Sequence, residues 1–317
     1  MSRRLRGPER GGTMSLKDKV KTGLDETRLL ILGAQVLFGF QLNSVFQEGF
    51  GELSPATRFI NSVGQALMAI AIGLLIAPSM QHLIAEKGHD TLRLHQATGL
   101  FAGSALFPFG LSLGLGFYVV FDRLYGTMAA LITGTAFCLL ALSFWYGIGL
   151  MMKPETKKNP RKEKETRTPL HARIDQMLTE ARVILPGAQA LLGFQLIVTL
   201  THAFDQLPLS SRLLHVAALI SVAFAVILLM TPAALHRISF YGEDTERFLQ
   251  IGSWFVVAAS VPLAIGIAAD LYVATSKASD SPFLGRILAV GIFVILAVLW
   301  YGLPLYLRRH QVIERSG

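Results

Sequence analysis

LGAQVLFGFQL occupies residues 32–42, and PGAQALLGFQL occupies residues 186–196. The offset between them is 154 positions, and it runs through most of the chain. Aligning 26–42 with 180–196 gives ten identities in 17 positions: Glu26/Glu180, Arg28/Arg182, Gly33/Gly187, Ala34/Ala188, Gln35/Gln189, Leu37/Leu191, Gly39/Gly193, Phe40/Phe194, Gln41/Gln195 and Leu42/Leu196. Chance gives about one, so the chain is a tandem duplication. The same offset pairs Arg58 with Arg212, Pro78 with Pro232, His82 with His236, Asp90 with Asp244, Arg93 with Arg247 and Pro108 with Pro262. An offset of 155 then pairs Trp145-Tyr146-Gly147 with Trp300-Tyr301-Gly302, so one residue is inserted in the last outer loop.

Of the 317 residues, 52% are hydrophobic and 16% charged. Soluble domains carry about 25% charged residues, so this balance points to a membrane protein. Eight apolar segments stand out, at roughly 29–47, 57–77, 97–121, 127–152, 183–203, 213–232, 249–273 and 284–307. Each approaches the ~20 residues that a helix needs to cross the hydrocarbon core. The ~10-residue alternating segments of a membrane barrel are absent, and backbone satisfaction in lipid then leaves helices.

The expected fold is therefore an all-α polytopic membrane protein. Its eight transmembrane helices form two parallel four-helix repeats, because four is even and both copies keep one orientation. A pseudo-two-fold axis along the membrane normal relates them. With both termini cytoplasmic, 24 of the 29 Lys and Arg residues fall inside and five outside. That asymmetry sets the orientation and favours the cell inner membrane, with anionic lipid at the cytoplasmic face. Nucleic acid is disfavoured, since no aromatic platform interleaves the basic residues. The first apolar run lacks a following small-residue cleavage site and reads as an uncleaved span. Met14 is an alternative start.

The domain reading follows. Residues 1–28 form a basic cytoplasmic N-terminus with a short amphipathic helix, and 29–152 the first four-helix repeat. Residues 153–182 are a charged cytoplasmic linker with a second amphipathic helix, 183–307 the second repeat, and 308–317 a cytoplasmic tail. The amphipathic lead-ins are Leu16, Val20 and Leu24, matched by Leu170, Ile174 and Leu178, at the spacing of one helix face. They are expected to lie on the cytoplasmic surface before each bundle.

The pattern E-x-R-x-x-L-P-G-x-Q-x-L-x-G-F-Q-L, followed at the end of the second span by P-x-x-x-H, resembles a bacterial family of small four-helix integral membrane proteins of unknown function. That family usually carries one copy per chain. The second half fits better, because the first has Leu32 where the second has Pro186. The resemblance implies the four-helix unit and the membrane location, and it supplies no activity or catalytic residues.

Two groups of residues are candidates for function. Gln35, Gln41, Gln189 and Gln195 lie within spans, where an amide costs free energy unless it finds a partner. They serve either helix packing beside Gly33, Gly39, Gly187 and Gly193 or a polar lining between the repeats. Gln35 and Gln41 stand about 240° apart around a helix, so one glutamine per repeat is expected at any lining. The second group is a cytoplasmic interface cluster of Glu26, Arg28, His82, Glu180, Arg182 and His236. Its bland role is anchoring, and its sharper role is a salt bridge between the Glu-x-Arg pairs and the histidines. Pro78 and Pro232 should kink or end their helices just before these histidines. Trp145-Tyr146 and Trp300-Tyr301 suit an aromatic belt.

No ionisable residue is expected deep in a span, and Asp122, Asp205 and Asp270 are placed near outer ends. That placement disfavours proton relays and ion-coupled transport. Cys138 is the single cysteine, and His82, His89 and His95 are poorly spaced for metal, so neither metal nor cofactor is expected. The favoured reading is a non-enzymatic membrane module that is structural, lipid-interacting or partner-binding, with a homo-oligomer or an unknown protein as partner. The alternative is a channel or facilitator for a small neutral solute along a glutamine-lined path. An enzyme acting on lipid through His82 and His236 is third.

Overall fold

The computed structural model describes residues 16–147, 168–199, 201–238 and 244–316, and among these all regular structure is helical. The first repeat consists of α1 (Leu16–Ser44), α2 (Pro55–Ile84), α3 (Leu92–Tyr125) and α4 (Thr127–Leu142). The second consists of α5 (Leu170–Val198), α6 (Leu209–Ile238), α7 (Glu246–Ser279) and α8 (Pro282–Ala297), with α9 (Leu303–Ser316) continuing beyond α8. Corresponding helices have equal lengths of 29, 30, 34 and 16 residues in the two repeats. Six spans, at Pro55–Ile84, Leu92–Tyr125, Leu170–Val198, Leu209–His236, Glu246–Ser279 and Pro282–His310, are long and apolar enough to cross a membrane. Leu30–Ser44 and Thr127–Leu142 are shorter apolar helices.

The duplication extends to the signals that start and stop helices. Thr91 and its equivalent Thr245 cap α3 and α7, each accepting a bond from the backbone N–H three residues on, at 3.1 Å. Between the third and fourth helices the chain turns through a positive φ, 81° at Gly126 and 50° at its equivalent Asp280. Glycine adopts this region freely and aspartate tolerates it. One π turn follows the fourth helix in each repeat, at Ser143–Gly147 and Val298–Gly302, around the repeated Trp-Tyr-Gly. Tyr146 donates to the Gly103 carbonyl, and Tyr301 donates to the equivalent Val257 carbonyl at 2.7 Å.

Each repeat is assembled the same way: its second helix packs on the third, the third on the fourth, and the first on the second and third. The repeats meet along α1 and α5, the two helices that carry the opening motif. Gly39 of α1 lies beneath the Phe194 ring, and the Gln35 side chain lies directly on Gly187 of α5. A Cβ at either glycine would overlap those atoms, so the missing side chains set how closely the helices approach. The equivalents Gly33 and Gly193 have open space instead. α2 also packs on α7 and α8, and Trp300, fully buried, donates its indole N–H to the Gly73 carbonyl at 3.0 Å.

Three expectations change. The amphipathic lead-ins are not separate surface helices: α1 and α5 run unbroken from Leu16 and Leu170. Val20 and Leu24 are buried against Leu94, and Ile174 joins the main core. The lead-in thus buries its apolar stripe on its own bundle. The prolines end nothing, since α2 continues through Pro78 to Ile84 and α6 through Pro232 to Ile238. Tightly packed neighbours hold the helix across the lost bond. Trp300 is packed between helices rather than lying in a lipid-facing belt.

The motif glycines give a direct test. Gly39→Val and Gly187→Val should each destabilise the protein by about 1–3 kcal/mol through overpacking. Gly193→Ala should leave it nearly unchanged. Thermal unfolding of the detergent-solubilised chain measures all three, and equal effects at Gly39 and Gly193 would contradict this interface.

Candidate functional site

Among the buried carboxylates of the described residues, Glu180 and Asp270 are the least exposed, and they lie near opposite ends of α5. The first is Glu180, 1% exposed, three turns from the start of that helix. Its Oε1 lies 3.2 Å from Arg28 Nη2 of α1 and 3.6 Å from His82 Nδ1 of α2. Arg28 is 7% exposed and His82 0%. The acid therefore comes from one repeat, and the cation and imidazole from the other. A buried charge without a partner costs several kcal/mol, so this cluster ties the repeats together electrostatically.

The six expected cluster residues thus divide. Arg28, His82 and Glu180 come together. Their equivalents do not form a second copy: Arg182 is exposed, and His236 stacks on Phe248 with its Nε2 3.6 Å from Asp244. The side chain of Glu26 lies outside the described residues. A short distance away, the start of α5 grips the loop after α2. Gln176 Nε2 donates to Asp90 Oδ1 at 2.8 Å, and Arg173 Nη2 donates to the Lys87 carbonyl at 2.7 Å.

The second carboxylate is Asp270 of α7, 5% exposed. Gln195 Nε2 donates to its Oδ2 at 2.6 Å, and His215 Nδ1 of α6 lies 3.5 Å from its Oδ1. The other imidazole nitrogen, Nε2, donates to the Gln195 carbonyl at 3.1 Å. His215 and Gln195 are each 3% exposed. Beside them is a cavity of about 20 Å³, bounded by Leu42 and Asn43 of α1, by Phe46 just after that helix, and by residues of α5, α6 and α7. That volume admits roughly one water-sized body.

Asp270 is buried by its neighbours near the ends of α1 and α5. The apolar run ends near 273, but α7 continues to Ser279, so the acid is nine residues inside the helix. His215 went unremarked in the sequence. The available signal was divergence between the repeats: the equivalents of Asp270 and His215 are Gly116 and Asn61. Charge appears where its copy has none.

The glutamines occupy four different settings. Gln35, 4% exposed, lies on Gly187, and Gln189 is exposed. Gln41 donates to Ser112 Oγ at 3.0 Å, and its carbonyl accepts from Gln65 Nε2 at 2.8 Å, all within the first repeat. Gln195 bonds within the second. Equivalent glutamines do not meet each other.

Glu180→Gln should destabilise the protein by about 3–5 kcal/mol, because it removes the buried charge that joins Arg28 and His82 across the repeats. Arg182→Ala, at the exposed equivalent of Arg28, should stay within about 0.5 kcal/mol. Glu180→Met with Arg28→Met should recover part of the loss, and a double-mutant cycle by denaturant unfolding in micelles measures it.

The comparisons bear on the repeat rather than on the chemistry. No curated protein and no solved structure matches the chain. A family described as a family of unknown function, DUF6328, matches twice, over residues 16–149 and 163–304. The two matches cover most of the chain and coincide with the two four-helix repeats, so the protein belongs to the family of unknown function DUF6328, which it carries in tandem.

Proposed function

We propose that this is a multi-pass membrane protein that works by binding rather than by catalysis: a lipid-interacting or partner-binding module made of two fused repeats. The observation that carries this is the Arg28–Glu180–His82 cluster. Each repeat supplies charges that the other neutralises, so the duplicated unit acts as one body. A single-copy relative would reach a similar state as a homodimer.

The proposed arrangement has eight crossings in two parallel repeats, related by a pseudo-two-fold axis along the membrane normal. α1 is one continuous 29-residue helix, and α4 continues through its π turn to Gly147. At 1.5 Å per residue, α4 with its π turn reaches the ~30 Å of a hydrocarbon core, and the apolar part of α1, Leu30–Ser44, covers about three quarters of it. Broad apolar faces support lipid contact. On α6, Leu209, Leu213, Val216, Ile220, Phe224 and Ile227 are all exposed along one side. The basic N-terminus and linker would lie in the cytoplasm against anionic headgroups of the inner membrane. The topology is tested in a Cys138→Ser background: Asp205→Cys should react with an impermeant thiol reagent from outside, and His310→Cys only after permeabilisation. Labelling of both from one side would reject this arrangement.

A second reading has one observation in its favour. Gln195 borders a cavity between α1 and the second repeat, which is where a facilitator for a small neutral solute would hold its cargo. Against it, the α1–α5 contact is closely packed where Gln35 meets Gly187 and Phe194 meets Gly39. Flux of neutral solutes into proteoliposomes decides between the two. The binding-module reading expects none across a broad panel. Flux that disappears in Gln195→Leu and persists in Gln41→Leu would replace it.

A further inference from the structure

We propose that Asp270, Gln195 and Asn43 form a binding site for one small monovalent cation, of the size and charge of sodium. The hydrogen bonds around His215 fix its tautomer. A carbonyl oxygen only accepts, so the bond to the Gln195 carbonyl assigns the proton to Nε2. In the neutral ring, Nδ1 then presents a lone pair, and it faces the Asp270 carboxylate oxygen at 3.5 Å. Two acceptors at that distance need positive charge beside them.

The neighbouring oxygens have the same need. Asp270 Oδ1, Gln195 Oε1 and Asn43 Oδ1 are all buried and without a hydrogen-bond partner among the described residues. All three residues border the 20 Å³ cavity. Acceptors that lack donors are rare in folded interiors, and several around one cavity point to an occupant. A proton on Nδ1 would serve Asp270 and leave the two amide oxygens unmet. A cation in the cavity attracts every one of these oxygens at once.

Size and charge narrow the identity. The cavity holds a single water-sized body, which suits sodium. A site with one carboxylate balances one positive charge, whereas calcium takes six to eight oxygens and usually several carboxylates. Amide and carboxylate oxygens are the hard ligands that alkali cations prefer, and buried ionisable groups in membrane proteins commonly mark ion sites. The first repeat serves as an internal control. There Gln41 Oε1 is also without a partner among the described residues, but Gly116 stands at the position of Asp270, so the carboxylate and hence the site belong to one repeat alone. Gln195 is three residues from the end of α5 and Asn43 one residue from the end of α1, so the cation would enter from that end of the bundle.

The test uses the full chain in detergent, with sodium chloride exchanged for N-methylglucamine chloride at constant ionic strength. The expected result is a Tm that rises with sodium concentration, together with saturable uptake of radiolabelled sodium. Asp270→Asn should abolish both, Asn43→Ala should weaken the apparent affinity at least several-fold, and Gln41→Leu should change neither. If Asp270→Asn does not fold, the Asn43→Ala affinity decides. No sodium-specific effect in the wild type would overturn the site and leave a His215–Asp270 ion pair in its place. A full response in the Asp270→Asn or Asn43→Ala protein would overturn it too. Sodium binding without solute flux leaves the binding-module reading intact, so the two can fail separately.

Discussion

Glu180 is a carboxylate taken almost wholly out of solvent in the first half of α5, and its counter-charges come from the opposite repeat. Desolvating an ion costs more than a helix interface can easily recover, so its partners must be placed with care. Arg28 and His82 are so placed only if α1 and α2 both lie against α5. The register of α1 on α5 is in turn set by contacts without side chains, Gly39 under Phe194 and Gly187 under Gln35. Shifting either helix by one turn, about 5.4 Å, would separate the charges and drive side chains into the glycine gaps together. Electrostatics and close packing therefore specify one arrangement of the two repeats.

That arrangement treats the two copies differently. α2 is clamped by α7, α8 and Trp300, so its middle is buried on several sides. The equivalent helix α6 keeps an apolar face open. The polar residues follow the same division. His82 is sealed inside, whereas its equivalent His236 is partly exposed beside Phe248. Gln41 meets a serine, whereas its equivalent Gln195 meets an aspartate and lies beside a histidine. Fusion makes such divergence possible: once two copies share a chain, each position can change in one copy without changing in the other.

The buried acids also show that burial comes from neighbouring helices and not from position along a span. The apolar run that holds Asp270 extends to about residue 273, three positions past the acid. The helix does not end there. It continues over two more turns to the cap at Asp280, and contacts with Gln195 and His215 bury the acid. Glu180 likewise lies inside a helix, because the lead-in from Leu170 to Thr179 belongs to α5.

The sequence by itself determined the repeat, its offset, the four-helix unit and the apolar faces, because these rest on local identity and periodicity. It also grouped Glu26, Arg28, His82, Glu180, Arg182 and His236, since charged and imidazole residues at the ends of apolar runs stand out, but of these only Arg28, His82 and Glu180 meet. The tertiary structure alone decided which copy of each residue was used. Identical motifs give Gly39 a tight contact and Gly193 an open one, and Gln35 a buried place and Gln189 an exposed one. It alone brought Asp270, Gln195 and His215 together from three helices. Side-chain environment depends on which helix arrives from far along the chain, and two near-identical segments carry no record of that.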